Sequence, residues 1–336
     1  MPKQSPVVLI CQPLLIQKSG TWRTILESAG LKVRFPGSGG KVLTGEQLRS
    51  ELDGVAATIA STEPYTAAIL KAASNLRVVS RTGVGFDSID TAAATERGVV
   101  VACTPGTNHE AVAEHAFALL LAVAKRIVPN HADVAGGGFH RQPSRALRGK
   151  ALGLVGFGRI GRAVARRAVA FQMKVLAHDP LLPSLPDDAC AVEQVTFDEL
   201  LARSDIISLH AAATESTSRL IRHETLAQMK PGVVLINTAR GTLVDEPALK
   251  EALQSGKVAA AGLDVFEHEP PAGSPLLSAP NVVLSPHMAG IDEQAFEDMA
   301  TMAAQTIVDL CQGRWPAERL INAGQLRQPW KWGSVT

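Results

Sequence analysis

Ala151-Leu152-Gly153-Leu154-Val155-Gly156-Phe157-Gly158-Arg159-Ile160-Gly161 is the stretch on which the fold turns. Its first five residues are an apolar run of strand length, and a helix over 160–171 begins inside the glycine pattern. Lys174–His178 reads as the next strand. Asp179 closes it, following Gly161 at about the 20-residue distance of a dinucleotide fingerprint. A lone G-x-G-x-x-G carries little weight; a strand before it, a helix behind it and an acid at the right distance carry much more. Gly156 permits a tight turn, Gly158 lets the backbone approach a pyrophosphate, and Gly161 lets the helix pack on the strand. The first-turn amides at Arg159, Ile160 and Gly161 then face the phosphates, with the positive end of the helix dipole behind them. Asp179 can accept from both ribose hydroxyls and would repel a 2′-phosphate. No Lys or Arg stands between it and Val192 to bind one, so the pattern points to NAD rather than NADP.

The same rhythm runs outward in both directions. Upstream, strands are expected at 7–11, Val55–Ala60, 76–80 and 99–103, with helices at 21–29, 66–73 and 91–98 between them. Downstream, Ile206–Leu209, Val233–Asn237, 259–263 and Val282–Leu284 read as strands. Helices fall at 196–203, 223–229 and 246–256, and a long last helix runs over about 292–312. Strands alternating with helices mean parallel α/β sheets. A further helix, with Asn108 as a candidate N-cap, runs to about Ile127 and is apolar nearly all round, so it is expected to be buried. His115 within it reads as a packed core histidine. Residues 136–148 form a Gly/Arg-rich loop, and the tail with Pro316 and Pro329 reads as an irregular strap.

The chain has 336 residues, enough for two domains at roughly 100–200 residues each. Lys+Arg number 33 against 32 Asp+Glu, so no electrostatic footprint for nucleic acid or an anionic membrane is present. Cys11, Cys103, Cys190 and Cys311 are far apart in sequence and read as free thiols, and no metal site is expected. The N-terminus runs into a short strand rather than a signal segment, and no apolar run reaches the ~18 residues of a membrane span. A cytoplasmic location is expected.

Six motifs in order resemble the D-isomer-specific 2-hydroxyacid dehydrogenases, the family of phosphoglycerate dehydrogenase and hydroxypyruvate/glyoxylate reductase. They are Arg81-Thr-Gly-Val-Gly-Phe-Asp-Ser-Ile-Asp90, the segment 108–115, the fingerprint, Asn237-Thr-Ala-Arg-Gly241, Gly262-Leu-Asp-Val-Phe-Glu-His-Glu-Pro270 and Ser285-Pro-His-Met-Ala-Gly290. The resemblance covers about 76–310. It implies two Rossmann-like domains with parallel sheets and an active site in the cleft between them. The expected domains are a discontinuous substrate-binding (catalytic) domain, 1–102 plus 291–336, and an NAD-binding domain, 103–290. A homodimer is also implied, with the helix after residue 108 near its interface.

By the same resemblance Arg240, Glu269 and His287 form the catalytic set. The chemistry accounts for these residue types. A 2-keto acid needs its carboxylate held and its carbonyl polarised, which the always-charged fork of Arg240 does. Hydride addition leaves an alkoxide that takes a proton from His287, and Glu269 stabilises the imidazolium. Asp264 is implied as the acceptor for the nicotinamide carboxamide, with Thr238, Ala239 and the backbone through Gly290 as neighbours of the ring. Val84 and Gly85 match the loop whose amides help hold the substrate carboxylate. Asn108 serves either as a plain N-cap or as a contact to cofactor or substrate. At Ser208-Leu209-His210-Ala-Ala-Ala-Thr214 the chain departs from the family's His-x-Pro-Leu-Thr.

The substrate class stays open between 3-phosphoglycerate and small glycerate/hydroxypyruvate or glyoxylate types. Ala60 stands where phosphoglycerate enzymes carry Arg, and 61–65 offer an acid and a phenol. Arg81 remains, as in many phosphoglycerate enzymes; with no appended segment before the end at Thr336, a small unphosphorylated 2-keto acid is expected at least as much as 3-phosphohydroxypyruvate. Glu269 in place of Gln argues against formate chemistry. The competing reading is an NAD(H)-sensing, corepressor-like binding protein on the same scaffold.

Overall fold

The computed structural model describes residues 5–185 and 191–333; Cys190 lies outside them. The chain divides into two compact units, Met1–Asn108 with Asp292–Thr336, and His109–Ile291. The first unit opens with β1 (Val7–Ile10), α1 (Thr21–Ser28), β2 (Lys32–Arg34), α2 (Gly45–Glu51) and β3 (Val55–Ala60). It continues with α3 (Ala67–Ala72), β4 (Val78–Arg81), α4 (Thr91–Glu96) and β5 (Val100–Ala102). The second unit comprises α5 (His109–Ala124), α6 (Ile127–Ala135), β6 (Ala151–Val155), α7 (Arg159–Ala170), β7 (Lys174–His178), β8 (Val192–Gln194), α8 (Phe197–Arg203) and β9 (Ile206–Leu209). It ends with α9 (His223–Gln228), β10 (Val233–Asn237), α10 (Glu246–Gln254), β11 (Val258–Leu263) and β12 (Val282–Leu284). The last helix, α11 (Glu293–Cys311), belongs to the first unit.

Among the described residues all pairs of named strands are parallel. The first unit has the order β2-β1-β3-β4-β5, and the second β12-β11-β10-β9-β6-β7-β8. Period-two patterning explains why each sheet is covered on both faces. In the second unit Leu152, Leu154, Ile206, Val234 and Ile236 face a core with Phe117, Leu120 and Val164 of α5 and α7. Their neighbours Val155, Ile207, Leu209 and Leu235 face Leu200, Leu226 and Leu249 of α8, α9 and α10. In the first unit Val8, Ile10 and Ile59 pack on Trp22, Leu26, Ala303 and Ile307, while Leu9, Ala60 and Val79 pack on Leu48, Ile69 and Leu70.

Several elements differ from the sequence expectation. The apolar helix breaks at Arg126, which sits in the left-handed region at φ +54°, and α6 starts afresh with no buried residue. The edge strands β2 and β8 and the short α2 have too few residues for periodicity to reveal them. The tail is tied down: Leu320 bridges Ala102, and Trp330 Nε1 donates to Gly98 O at 2.9 Å. Cys11 is buried and free, Cys311 is half-buried and free, and Cys103 is buried. Among the described residues no helix is long and apolar enough to cross a membrane, and no cluster of ligating side chains could hold a metal.

Candidate active site

In open parallel sheets ligands collect outside the C-terminal strand ends, at the point where the strand order reverses. In the seven-stranded sheet that point lies between β6 and β9. The glycine turn follows β6. Gly156 has φ +94°, and a Cβ there would lie 2.7 Å from the His210 backbone, so the turn lies directly on the residues that follow β9. A Cβ on Gly161 would lie 2.3 Å from Gly156 O, which is the close helix-to-strand approach expected of it. Around the Gly158 Cα there is open space. Arg159, Ile160 and Gly161 open α7, where the first amides lack partners within the helix.

Asp179, one residue past β7, is half-buried. Its Oδ2 accepts the Phe157 N–H at 2.9 Å and its Oδ1 the Leu181 N–H at 3.0 Å. The acid and the glycine turn are thus locked together, although 22 residues separate them. Two buried polar atoms nearby have no hydrogen-bond partner among the described residues, His210 Nδ1 and Thr238 Oγ1. Desolvation pushes the His210 imidazole down to about 4, so it is neutral at physiological pH; its Nε2 is 2.9 Å from Ser208 Oγ. Open space over a glycine, unpaired first-turn amides, an acid at the end of the next strand and two orphaned polar atoms fit an extended dinucleotide along this edge.

The three candidate catalytic residues follow three adjacent strands. Arg240 comes after β10, Glu269 after β11 and His287 after β12. Asn237, which composition alone does not single out, shapes the first loop. Its Nδ2 donates to Arg240 O at 2.9 Å and its Oδ1 accepts the Ala239 N–H at 3.0 Å. The half-buried Arg240 donates from Nη1 to Ala239 O at 2.7 Å. Gly241 is where the loops meet: a Cβ there would fall 1.8 Å from the Phe266 carbonyl carbon. Only glycine allows the Arg240 turn to lie backbone to backbone on the segment leading to Glu269. The buried Glu246 supports that segment by accepting the Glu267 N–H at 2.8 Å.

Glu269 Oε2 meets His287 Nδ1 at 2.6 Å, and Glu269 Oε1 accepts the Phe266 N–H at 3.1 Å. Burial acts to raise the Glu269 pKa. The His287 hydrogen bond and charge, the Phe266 N–H and Arg240 outweigh it and hold the carboxyl below its ordinary value. Because Nδ1 is engaged with a carboxylate, it carries a proton, and Nε2 is left to exchange one with a ligand. His287 itself has φ +51°, a conformation that costs a non-glycine residue roughly 1–2 kcal/mol. The cost is offset by Asp264, whose backbone O accepts the His287 N–H at 2.8 Å. The fully buried Asp264 carboxylate takes the Met288 N–H on Oδ1 at 3.0 Å and the Ala289 N–H on Oδ2 at 2.8 Å. Gly290 lies at the end of the same turn.

His115 differs from its sequence reading. Its ring is not merely packed: Nε2 lies 2.8 Å from Ser285 Oγ. Val84 and Gly85 sit in the first unit, in the loop after β4. Gly83, at φ +123°, donates its N–H to Thr104 Oγ1 at 2.8 Å, and the Arg81 guanidinium lies over the Gly83 Cα.

Residues 117–289 match the family described as D-isomer specific 2-hydroxyacid dehydrogenase, NAD binding domain. The chain is 45% identical to the hydroxypyruvate reductase of Thermotoga maritima, over 70% of this chain and 78% of that one. It is 43% identical to the D-3-phosphoglycerate dehydrogenase of Archaeoglobus fulgidus over 80% of its own length, but spans about half of that protein, 51%. Among solved structures, the D-lactate dehydrogenase of Aquifex aeolicus complexed with NAD and lactic acid superposes with a TM-score of 0.81 at 28% identity. The match covers 94% of this chain and 98% of that one. With the doubly wound sheet and its glycine turn, these matches establish that the chain belongs to the D-isomer-specific 2-hydroxyacid dehydrogenase family and is an NAD-dependent enzyme of that family.

Proposed function

We propose that the chain interconverts a small unphosphorylated D-2-hydroxy acid and its 2-keto acid, of the glycerate/hydroxypyruvate or glyoxylate type, at the Arg240–Glu269–His287 constellation. The observation that carries this is the 2.6 Å pairing of His287 Nδ1 with Glu269 Oε2, two strand ends from Arg240. NAD, when bound, supplies or accepts the hydride. In the reducing direction Arg240 holds the substrate carboxylate and polarises the carbonyl, and His287 Nε2 gives the new alkoxide its proton. Glu269 stabilises the imidazolium before that transfer. In the oxidising direction His287 Nε2 takes the hydroxyl proton instead.

For the cofactor, Gly156, Gly158, Arg159, Ile160 and Gly161 would bind the pyrophosphate, and Asp179 the adenosine ribose. Thr238, Ala239 and Gly290 would neighbour the nicotinamide. Of the four lone-pair positions of the Asp264 carboxylate, one on Oδ2 is left for a carboxamide N–H. In the first unit, Val84 and Gly85 would bind the substrate carboxylate through backbone amides. The choice of an unphosphorylated substrate is supported by Ala60 at the end of β3 and by Glu63, a fully buried acid two residues beyond Ser61. Glu63 sits close enough to Arg81 to feel its charge, and would oppose a phosphate there. The chain is further proposed to form a homodimer through the α5–α6 region, where Ile127, Val128, Val134 and Phe139 are 52–74% exposed; sedimentation at twice the chain mass tests it.

The deciding experiment is a panel of keto acids, hydroxypyruvate, glyoxylate, pyruvate and 3-phosphohydroxypyruvate, each with NADH and NADPH. The expected result is NADH oxidation with an unphosphorylated acid, reduced about 10²–10⁴-fold in His287→Ala and abolished in Arg240→Ala. Normal turnover in both variants, or best activity with the phosphorylated acid, would sink the respective part of the reading.

A further inference from the structure

A half-buried imidazole at the start of the apolar stretch of α5 needs a reason. α5 runs close along β11 because Gly262 has no side chain: a Cβ there would fall 2.8 Å from Leu119 Cβ and 3.0 Å from Ile236 Cδ1. One helical turn before Leu119, on the same face, stands His115. The close approach therefore delivers its ring to the ends of β11 and β12. There Nε2 lies 2.8 Å from Ser285 Oγ, and Ser285 Oγ donates to Asp264 Oδ1 at 2.6 Å. The same Nε2 is 3.5 Å from Asp264 Oδ1.

The directions of these bonds are constrained. Ser285 has one hydroxyl proton and spends it on Asp264, so its oxygen accepts from His115, whose Nε2 must carry hydrogen. Downstream, Asp264 receives the amides of three successive residues, His287 on its carbonyl and Met288 and Ala289 on its carboxylate. A single buried aspartate thus sets the backbone of the turn that carries the acid–base histidine, and a histidine from another element donates to the serine bonded to that aspartate.

We propose that His115 is a positioning residue for His287. Acting through Ser285, it holds the Asp264 carboxylate in the orientation that pins the turn of residues 287–289, with its left-handed His287, keeping His287 Nδ1 on Glu269 and Nε2 toward the substrate. His115 touches neither substrate nor cofactor in this role.

The test compares His115→Leu, His115→Gln, Ser285→Ala and the His115→Leu/Ser285→Ala double variant, using whichever keto acid of the panel turns over. His115→Leu is expected to lower kcat about 10- to 100-fold, the size of effect that misplacing a reacting group produces, with Tm little changed. His115→Gln, which restores an N–H donor at similar reach, is expected to recover most of the rate. Because both residues lie on one chain of bonds, the double variant should be no worse than the poorer single one. Independently of turnover, the low-field proton NMR signal of the His287 Nδ1–H, assigned by its loss in His287→Ala, should vanish in His115→Leu and persist in His115→Gln. A kcat in His115→Leu within about twofold of the parent, equal losses in the Leu and Gln variants, additive losses in the double variant, or an unchanged low-field signal in His115→Leu would each overturn the inference. It rests on the acid–base reading of His287. Full turnover in His287→Ala would overturn that reading; an inactive His287→Ala beside an unimpaired His115→Leu would overturn only the present one.

Discussion

His287 Nδ1 and Glu269 Oε2 meet at 2.6 Å from loops that follow neighbouring parallel strands. The pair is about one-third exposed on each side, so it contributes little to stability. Glu269 is held below its ordinary value of 4.5. A depressed carboxyl pKa means that the pairing is complete above that value and is lost only as pH falls through the lower folded-state value. The acid limb of the keto-acid reduction profile assigned to Glu269 should therefore lie below pH 4.5. Glu269→Gln removes the carboxylate that pairs with His287 Nδ1, so the acid limb assigned to Glu269 should be lost and kcat should fall. A pH–rate profile unchanged in Glu269→Gln would show that the pair does not govern the proton.

Gly241→Ala is expected to cost about 100-fold or more in kcat/KM, because a Cβ 1.8 Å from the Phe266 carbonyl carbon must separate the Arg240 and Glu269 loops. Destabilisation of about 1–3 kcal/mol should accompany it, visible as a lower midpoint in urea unfolding. A variant with parental activity would mean that the two loops need not touch.

The glycines of the turn should separate by experiment. Gly156→Ala meets the His210 backbone at 2.7 Å from a left-handed φ, so thermal unfolding should shift down by several degrees. Gly158→Ala points into open space in the free protein. Its Tm should stay at the parental value while NADH affinity, followed by fluorescence titration, falls about tenfold or more. Parental NADH binding by Gly158→Ala would place the pyrophosphate elsewhere.

Glu63 is fully buried, and burial raises its pKa against the opposing Ser61 N–H and the charge of Arg81. A raised folded-state value gives the Glu63 contribution to stability in full below the ordinary 4.5 and loses it as pH rises through the folded value. Glu63→Gln keeps an acceptor for the Ser61 N–H, bonded at 2.7 Å to Oε2 in the parent. It should raise stability near pH 8 by about 1 kcal/mol, or roughly 2–4 °C in Tm, with no gain at pH 4. Calorimetry at the two pH values decides it, and a lower Tm at pH 8 would count against the sign worked out here.

How much of this was legible without coordinates depends on distance along the chain. The strand–turn–helix of 151–161 and the acid at 179 lie within one βαβ unit, and there the residue types alone carry the argument. Arg240, Glu269 and His287 lie far apart and needed a resemblance to be named. Asn237, Gly241, Glu246 and Ser285 were absent from every sequence argument about roles, since nothing in their types says which backbone they touch. His115 was read as core, and only its 2.8 Å bond to Ser285, 170 residues away, shows otherwise. The edge strands β2 and β8 span three residues each, too few for a period.

The sequence by itself determined the class of fold and the NAD cofactor, because local patterning and one short motif suffice for each. The tertiary structure decided how the His287 imidazole is held. The left-handed turn at His287, the carboxylate on its Nδ1, the buried aspartate beneath it and the glycine that lets two loops touch are contacts between residues on different strands and helices. Such contacts exist only once the parallel sheet has brought the ends of β10, β11 and β12 side by side.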